Sequence, residues 1–175
     1  MRLIVGLGNP GEKYKKNRHN LGFILLDEIS GLRWHQNNKL VGEVCTISKD
    51  PYNNVYVKPQ TFMNKSGDCV SRALNYYKVN PQDLIVIHDD VDLGFGVVKR
   101  QFGSGSAGHK GVESIIDSIK TKDFWRVRVG IGRSQNPNVE TDDWVLTNFS
   151  NEELEKIKSL LPIVTKHLSA STNPN

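Results

Sequence analysis

The chain has little cysteine, no long apolar run and no internal repeat, and each shortage removes a class of protein. Only Cys45 and Cys69 occur among 175 residues. They stand apart at no metal-ligand spacing, which argues against both a disulfide scaffold and a zinc module. The longest apolar stretches, Leu84–His88 and Ile24–Leu26, fall far short of the roughly 20 residues a membrane-spanning helix needs. The apolar run after Arg2 breaks into glycines within a few residues, unlike a secretory signal. Two reduced thiols without an export signal make a cytoplasmic address the expectation. No linker divides the chain, so we expect one domain over residues 1–168 and a polar, frayed tail at 169–175.

What is present is an alternation of strand-like and helix-like segments. Arg2–Leu7 reads as a short buried strand, with two more strands near Glu43–Ser48 and Asn54–Lys58. Leu21–Ser30 looks helical, and Ser66–Tyr77 carries Val70, Ala73, Leu74 and Tyr77 at helical spacing. Asp83–His88 is a buried strand that emerges in acids at Asp89, and Gly96–Phe102 is a further strand. Val112, Ile115, Ile116 and Ile119 form a helix face. Trp125, Val127, Val129 and Ile131 alternate with Arg126, Arg128 and Gly130, as a strand with one wetter face does. Ser150 and Glu153 form a capping box that opens a last helix, which Pro162 should kink. This order predicts an α/β fold: a three-layer single domain with a mixed twisted sheet flanked by helices.

The net charge of +4 is weak evidence for a polyanionic partner, and its distribution says more. Lys13, Lys15, Lys16 and Arg18 crowd into one segment, while Lys99, Arg100, Lys110, Arg126, Arg128 and Arg133 recur later. These either form a solvated basic surface or grip phosphates.

Five segments could carry chemistry. Gly6–Gly11 matches the G-x-G-x-x-G pattern, but Pro10 interrupts it and Glu12–Arg18 lacks the periodicity of the helix that a pyrophosphate requires. A tight turn presenting Asn9 at the sheet edge fits better. Arg18-His19-Asn20 precedes an apolar helix that Asn20 could cap, which would fix His19 just before it. Asp89, Asp90 and Asp92 follow a buried strand, where α/β sheets place ligands. They could orient a general-base histidine, hold a divalent metal, or merely start a turn. Lys58–Gly67 places Met63 and Asn64 on a strand-to-helix loop. Gly103–Gly111 is a glycine/serine loop that could hold a phosphate or simply flex.

Together and in this order, these segments resemble the bacterial-type peptidyl-tRNA hydrolase family. The matching stretches are Val5–Gly11, Arg18–Phe23, Lys58–Gly67, His88–Leu93, Gly108–Ile116, Arg126–Arg133 and Val145–Ser150. The resemblance implies that fold, working as a monomer without metal or cofactor on the ester between a peptide and the 3'-terminal ribose of tRNA. By matching motif, His19 would be the general base on water and Asp89 its orienting partner. Asn9 and Asn64 would hold the peptide and the reacting carbonyl, and Tyr14 and Met63 would line the cleft. Lys99 and Arg128 would grip phosphates near the acceptor stem. An imidazole suits the task because it ordinarily titrates near neutrality.

The chain departs from the family where the motif reads Gly-His-Asn-Gly, since here it is Gly108-His109-Lys110-Gly111. Lysine offers donors only, so either Lys110 contacts a phosphate or carbonyl of the substrate instead or activity is reduced. Gln101 stands where a basic residue often lies, and Ser134 replaces a common proline. Two rivals stay open: a non-catalytic RNA-binding relative, and a metal-dependent hydrolase built on Asp89, Asp90 and Asp92.

Overall fold

The computed structural model describes residues 1–29, 33–49 and 52–173. Seven strands form one sheet: β1 (Arg2–Gly6), β2 (His35–Asn37), β3 (Gly42–Lys49), β4 (Tyr52–Pro59), β5 (Leu84–Asp90), β6 (Val98–Phe102) and β7 (Trp125–Gly130). Their order is β2-β3-β4-β1-β5-β7-β6. The centre (β4, β1, β5, β7) is parallel, and both flanks are antiparallel. The mixed α/β sheet is as expected.

Parallel strands covered on both faces should be continuously apolar. In β1 every residue is buried, and Leu84 to Ile87 of β5 are completely so. The side chains alternate between two cores. Leu3, Val5, Leu84 and Val86 pack beneath α2 (Ser66–Tyr77) and α3 (Lys110–Ile119), together with Val70, Leu74, Val112 and Ile115. Ile4, Ile85, Ile87, Val127 and Val129 pack on the other face. There they meet α1 (Leu21–Asp27), α5 (Asn151–Ser159) and α6 (Leu161–Ser169). A short helix α4 (Thr141–Trp144) precedes α5.

Some expectations need correction. The helix after Asn20 ends at Asp27; Ser30, its expected end, lies outside the described residues. Pro162 does more than kink the last helix. The chain breaks at Leu160, and Pro162 sits in the first turn of α6, where its missing N–H costs nothing. The strand before Asp89 runs on through Asp90, pairing Asp89 with Val129. Within the tail, backbone and side-chain groups of residues 171 and 172 find partners. Arg100 binds the Ser171 carbonyl at 2.7 Å, and Trp125 Nε1 donates to the Thr172 carbonyl at 3.0 Å. Among the described residues no helix is long and apolar enough to cross a membrane.

Candidate active site

Three segments converge at the C-terminal end of the central strands. After β1 the backbone turns, and Gly11 at φ 108° leads into a single 3-10 turn over Glu12–Tyr14, with no helix N-terminus at the glycines. A second 3-10 turn, Arg18–Asn20, feeds α1. Close approach of α1 to the sheet requires Gly22, because a Cβ there would collide with the Leu7 nitrogen and the Ile87 carbonyl. That approach brings His19 over the end of β5.

There His19 meets Asp89. The imidazole Nδ1 lies 3.0 Å from both carboxylate oxygens, and the two residues are 8% and 2% exposed. Nδ1 must donate to an ionised acceptor, so Nε2 keeps its lone pair. The side-chain hydrogen bonds of His19 among the described residues are all made through Nδ1, and the residue lines an open cavity.

A second imidazole, unforeseen in the sequence, completes the arrangement. His109 is the N-cap of α3, and its Nδ1 accepts from the backbone N–H groups of Gly111 and Val112 at 3.2 and 3.3 Å. Those two donors commit Nδ1 as acceptor and leave the proton on Nε2. That proton is donated to Asp89 Oδ1 at 3.0 Å. Burial alone would push the Asp89 carboxyl up. The two imidazoles facing it outweigh burial and hold it well below the usual carboxylate range. His88 also packs against His109, with ring centroids 4.7 Å apart. Burial pushes its imidazole well below the ordinary range, so it stays neutral. The available signal for His109 was local: it stands three residues before Val112, the first apolar position of the expected helix face, within reach of a capping position.

His19 Nδ1, Asp89 and His109 Nε2 also have the composition of a metal site, their ligand atoms lying within 4.8 Å of one another. The fit is poor. Ligation through Nε2 would move the His109 proton to Nδ1, where it would face two backbone N–H donors. The acids proposed for a metal point apart as well. Asp90 binds Arg128 at 2.7 Å and Asp92 binds Arg133 at 2.5 Å, while Asp89 faces the imidazoles.

The remaining residues line the surroundings. Asn20 does not cap α1. It grips Asn9, accepting from the Asn9 backbone N–H and donating to the Asn9 carbonyl, both at 2.9 Å. The Asn9 Oδ1 accepts from the Met63 backbone N–H at 2.8 Å, which turns the Nδ2 donor to the other side. Met63 is buried; a Cβ on Gly111 would strike its sulfur and crowd His109, so Met63 and His109 are neighbours. Asn64 is exposed on the same 3-10 turn. Tyr14 meets Phe62 edge-on at 6.5 Å, and Phe62 is 56% exposed.

Lys110 lies at the rim, its Nζ 2.6 Å from Asp142 on α4. Lys99 and Arg128 are paired across β6 and β7 and share a sheet face with Arg126. Arg128 is partly committed, to Asp90 and to Gln101 at 2.6 Å. A cavity of about 190 Å³ is lined by His19, Asp89, His109, Lys110, Arg126 and Asp142 among others, and Asn9, Tyr14, Met63, Asn64 and Lys99 lie outside its lining.

The sequence model described as peptidyl-tRNA hydrolase matches residues 3–174. The chain belongs to the peptidyl-tRNA hydrolase family. It is similar to the peptidyl-tRNA hydrolase of Lawsonia intracellularis, at 41% identity over 95% of this chain and 85% of that one. It is likewise similar to that of Aliarcobacter butzleri, at 45% over 92% and 86%. The crystal structure of peptidyl-tRNA hydrolase from Acinetobacter baumannii superimposes with a TM-score of 0.81 at 28% identity, covering 99% of this chain and 97% of that one.

Proposed function

We propose that this protein hydrolyses the ester joining a peptide, or an N-blocked amino acid, to the 3'-terminal ribose of tRNA, without a metal and as a monomer. The observation that carries the reading is the shared carboxylate. Asp89 holds Nδ1 of His19 at 3.0 Å, and Nε2 is left to take a proton from water. The water oxygen attacks the ester carbonyl, and the proton held on Nε2 is then returned to the departing ribose oxygen. Asp89 stabilises the imidazolium between those steps and takes no proton.

Asn9 is held on three sides with its Nδ2 donor left over, which suits a peptide or ester carbonyl oxygen. Asn64 lies beside it for the same task. Amide recognition favours a blocked α-nitrogen over a charged one, so ordinary aminoacyl-tRNA would be spared. Tyr14 and Met63 line the peptide side. Lys99 and Arg128 offer cations to acceptor-stem phosphates, and Lys110 reaches substrate from the rim. A protein that only bound RNA would have no use for a buried carboxylate orienting an imidazole.

The test is release of free peptide from N-blocked aminoacyl-tRNA in the presence of a chelator. The wild type should be active, and His19→Ala should abolish turnover while leaving tRNA affinity intact. Full activity in that variant refutes the mechanism, and loss of wild-type activity with chelator refutes metal independence.

A further inference from the structure

His19 is held by a ladder that lies outside the sheet. Residues 16–19 run antiparallel to residues 145–149. The Arg18 N–H donates to the Thr147 carbonyl at 3.0 Å, His19 N–H to Val145 at 2.8 Å, and Phe149 N–H to Lys16 at 2.9 Å. A side-chain bond, Asn17 Nδ2 to Asn148 Oδ1 at 2.6 Å, adds to it. Among the described residues the ladder is an isolated bridge, Asn17 to Asn148, and its register depends on side chains.

Arg18 supplies the principal lock. Its guanidinium forms a two-point pair with Glu153, at 2.9 and 3.1 Å, and its Nε donates to Thr147 Oγ1 at 3.0 Å. It lies 3.9 Å from the centre of the Trp144 ring and 5.0 Å from that of Phe149. Glu153 is itself fixed, since it closes the capping box of α5 with Ser150. Arg18 is 6% exposed. Although it sits in the basic segment Lys13–Arg18, it is not available to a tRNA phosphate.

We infer that Arg18 is a positioning residue for His19, setting the imidazole against Asp89 by clamping the ladder between Trp144, Phe149 and Glu153. The inference rests on His19 being the general base. Planarity and two-point donation are what the site uses, and lysine supplies neither.

The test compares wild type, Arg18→Lys, Glu153→Gln and the double variant on N-blocked aminoacyl-tRNA. A misplaced base costs rate far more than binding, so Arg18→Lys should lower kcat about 10- to 100-fold, with KM within roughly threefold of wild type. Glu153→Gln keeps the ring stacking and should lose about 3- to 10-fold. Because both act through one clamp, the double variant should be no more than about twofold slower than Arg18→Lys.

Proton NMR adds a readout that a merely structural role would not move. The downfield proton between His19 Nδ1 and Asp89 should broaden in Arg18→Lys, while that of His109 Nε2 persists. Wild-type kcat with only a lower Tm overturns the inference. Should Arg18→Lys fail to fold, Glu153→Gln decides: unchanged kcat overturns, reduced kcat at constant KM supports. An inactive wild type would refute the hydrolase reading itself, whereas an active wild type with unimpaired variants refutes only the role of Arg18.

Discussion

Replacing His109 separates two jobs that its ring performs at once. Nδ1 caps α3, and Nε2 donates to the buried Asp89 carboxylate at 3.0 Å. A helix cap is worth about 1 kcal/mol, and a hydrogen bond to a charged group about 1.5–3 kcal/mol. His109→Ala loses both, so unfolding free energy should fall by about 2.5–4 kcal/mol. Asparagine can still cap with its carbonyl oxygen but is too short to reach Asp89. His109→Asn should therefore recover about 1 kcal/mol of that loss.

Turnover should not follow stability. In both variants Asp89 loses the donor that fixes its Oδ1, so both should show kcat lowered about 10-fold, equivalent to about 1.4 kcal/mol of transition-state stabilisation. Urea unfolding at pH 7 measures the first quantity and hydrolysis of N-blocked aminoacyl-tRNA the second. The variants should also differ from wild type in acid. The depressed Asp89 carboxyl contributes stability that is present above the ordinary carboxylate value and is lost as pH falls below it. Removing a donor shrinks that contribution, so the acid limb of the variants should be shallower. An Asn variant with wild-type kcat and wild-type stability would show that the His109–Asp89 contact carries nothing.

Asp89→Asn removes the charge that stabilises the His19 imidazolium and offers Nδ1 a donor, which favours the wrong tautomer, so kcat should fall on the order of 10³-fold; single-turnover kinetics with less than a tenfold loss would remove Asp89 from the mechanism. Lys110→Asn frees Asp142 and restores the amide usual in the family, and kcat/KM should rise. An exposed pair is worth at most about 1 kcal/mol, so the gain should stay below about fivefold. An unchanged value would mean that Lys110 already serves adequately. His88 is neutral in the fold but protonates in the unfolded chain below its ordinary value near 6.5. Stability should thus fall as pH drops below 6.5, by up to about 1.4 kcal/mol per unit. His88→Asn should flatten that limb of the denaturation profile; parallel curves would refute the assignment.

The features legible in the sequence were those written in local spacing. The β5 run, the alternation in β7, the α2 and α3 faces and the Ser150–Glu153 box each depend on neighbours within a few residues. The β5 run, the helix faces and the capping box stand in the structure. Only the apolar half of the β7 pattern does: Val127 and Val129 lie in the core, but Arg126 is 2% exposed and Gly130 is buried, so the opposite face is not the wetter one. The short strand β2 and helix α4 left no such trace, having only three and four residues. Periodicity cannot register in so few positions. Asn20 illustrates a different limit. Its place before a helix reads as a cap, yet its side chain is taken by the Asn9 backbone, eleven residues away.

The site shows why pattern and chemistry part company. His19 and Asp89 stood out because histidines and acids carry recognisable roles, but the contacts that surround them are long-range. Asp89 meets His109 across 20 residues, and Arg18 meets Glu153 across 135. Sheet order decides both. β5 lies between β1 and β7, so the loops after β1 and β5 must converge, and α3 must begin over the same edge. Arg128 follows the same rule. The family resemblance implies a cation for phosphates there, while the parallel register with β5 gives it Asp90 as a partner. Its charge is then half spent before any tRNA arrives, and exposed Lys99 opposite it should carry the larger share of the salt-dependent contact.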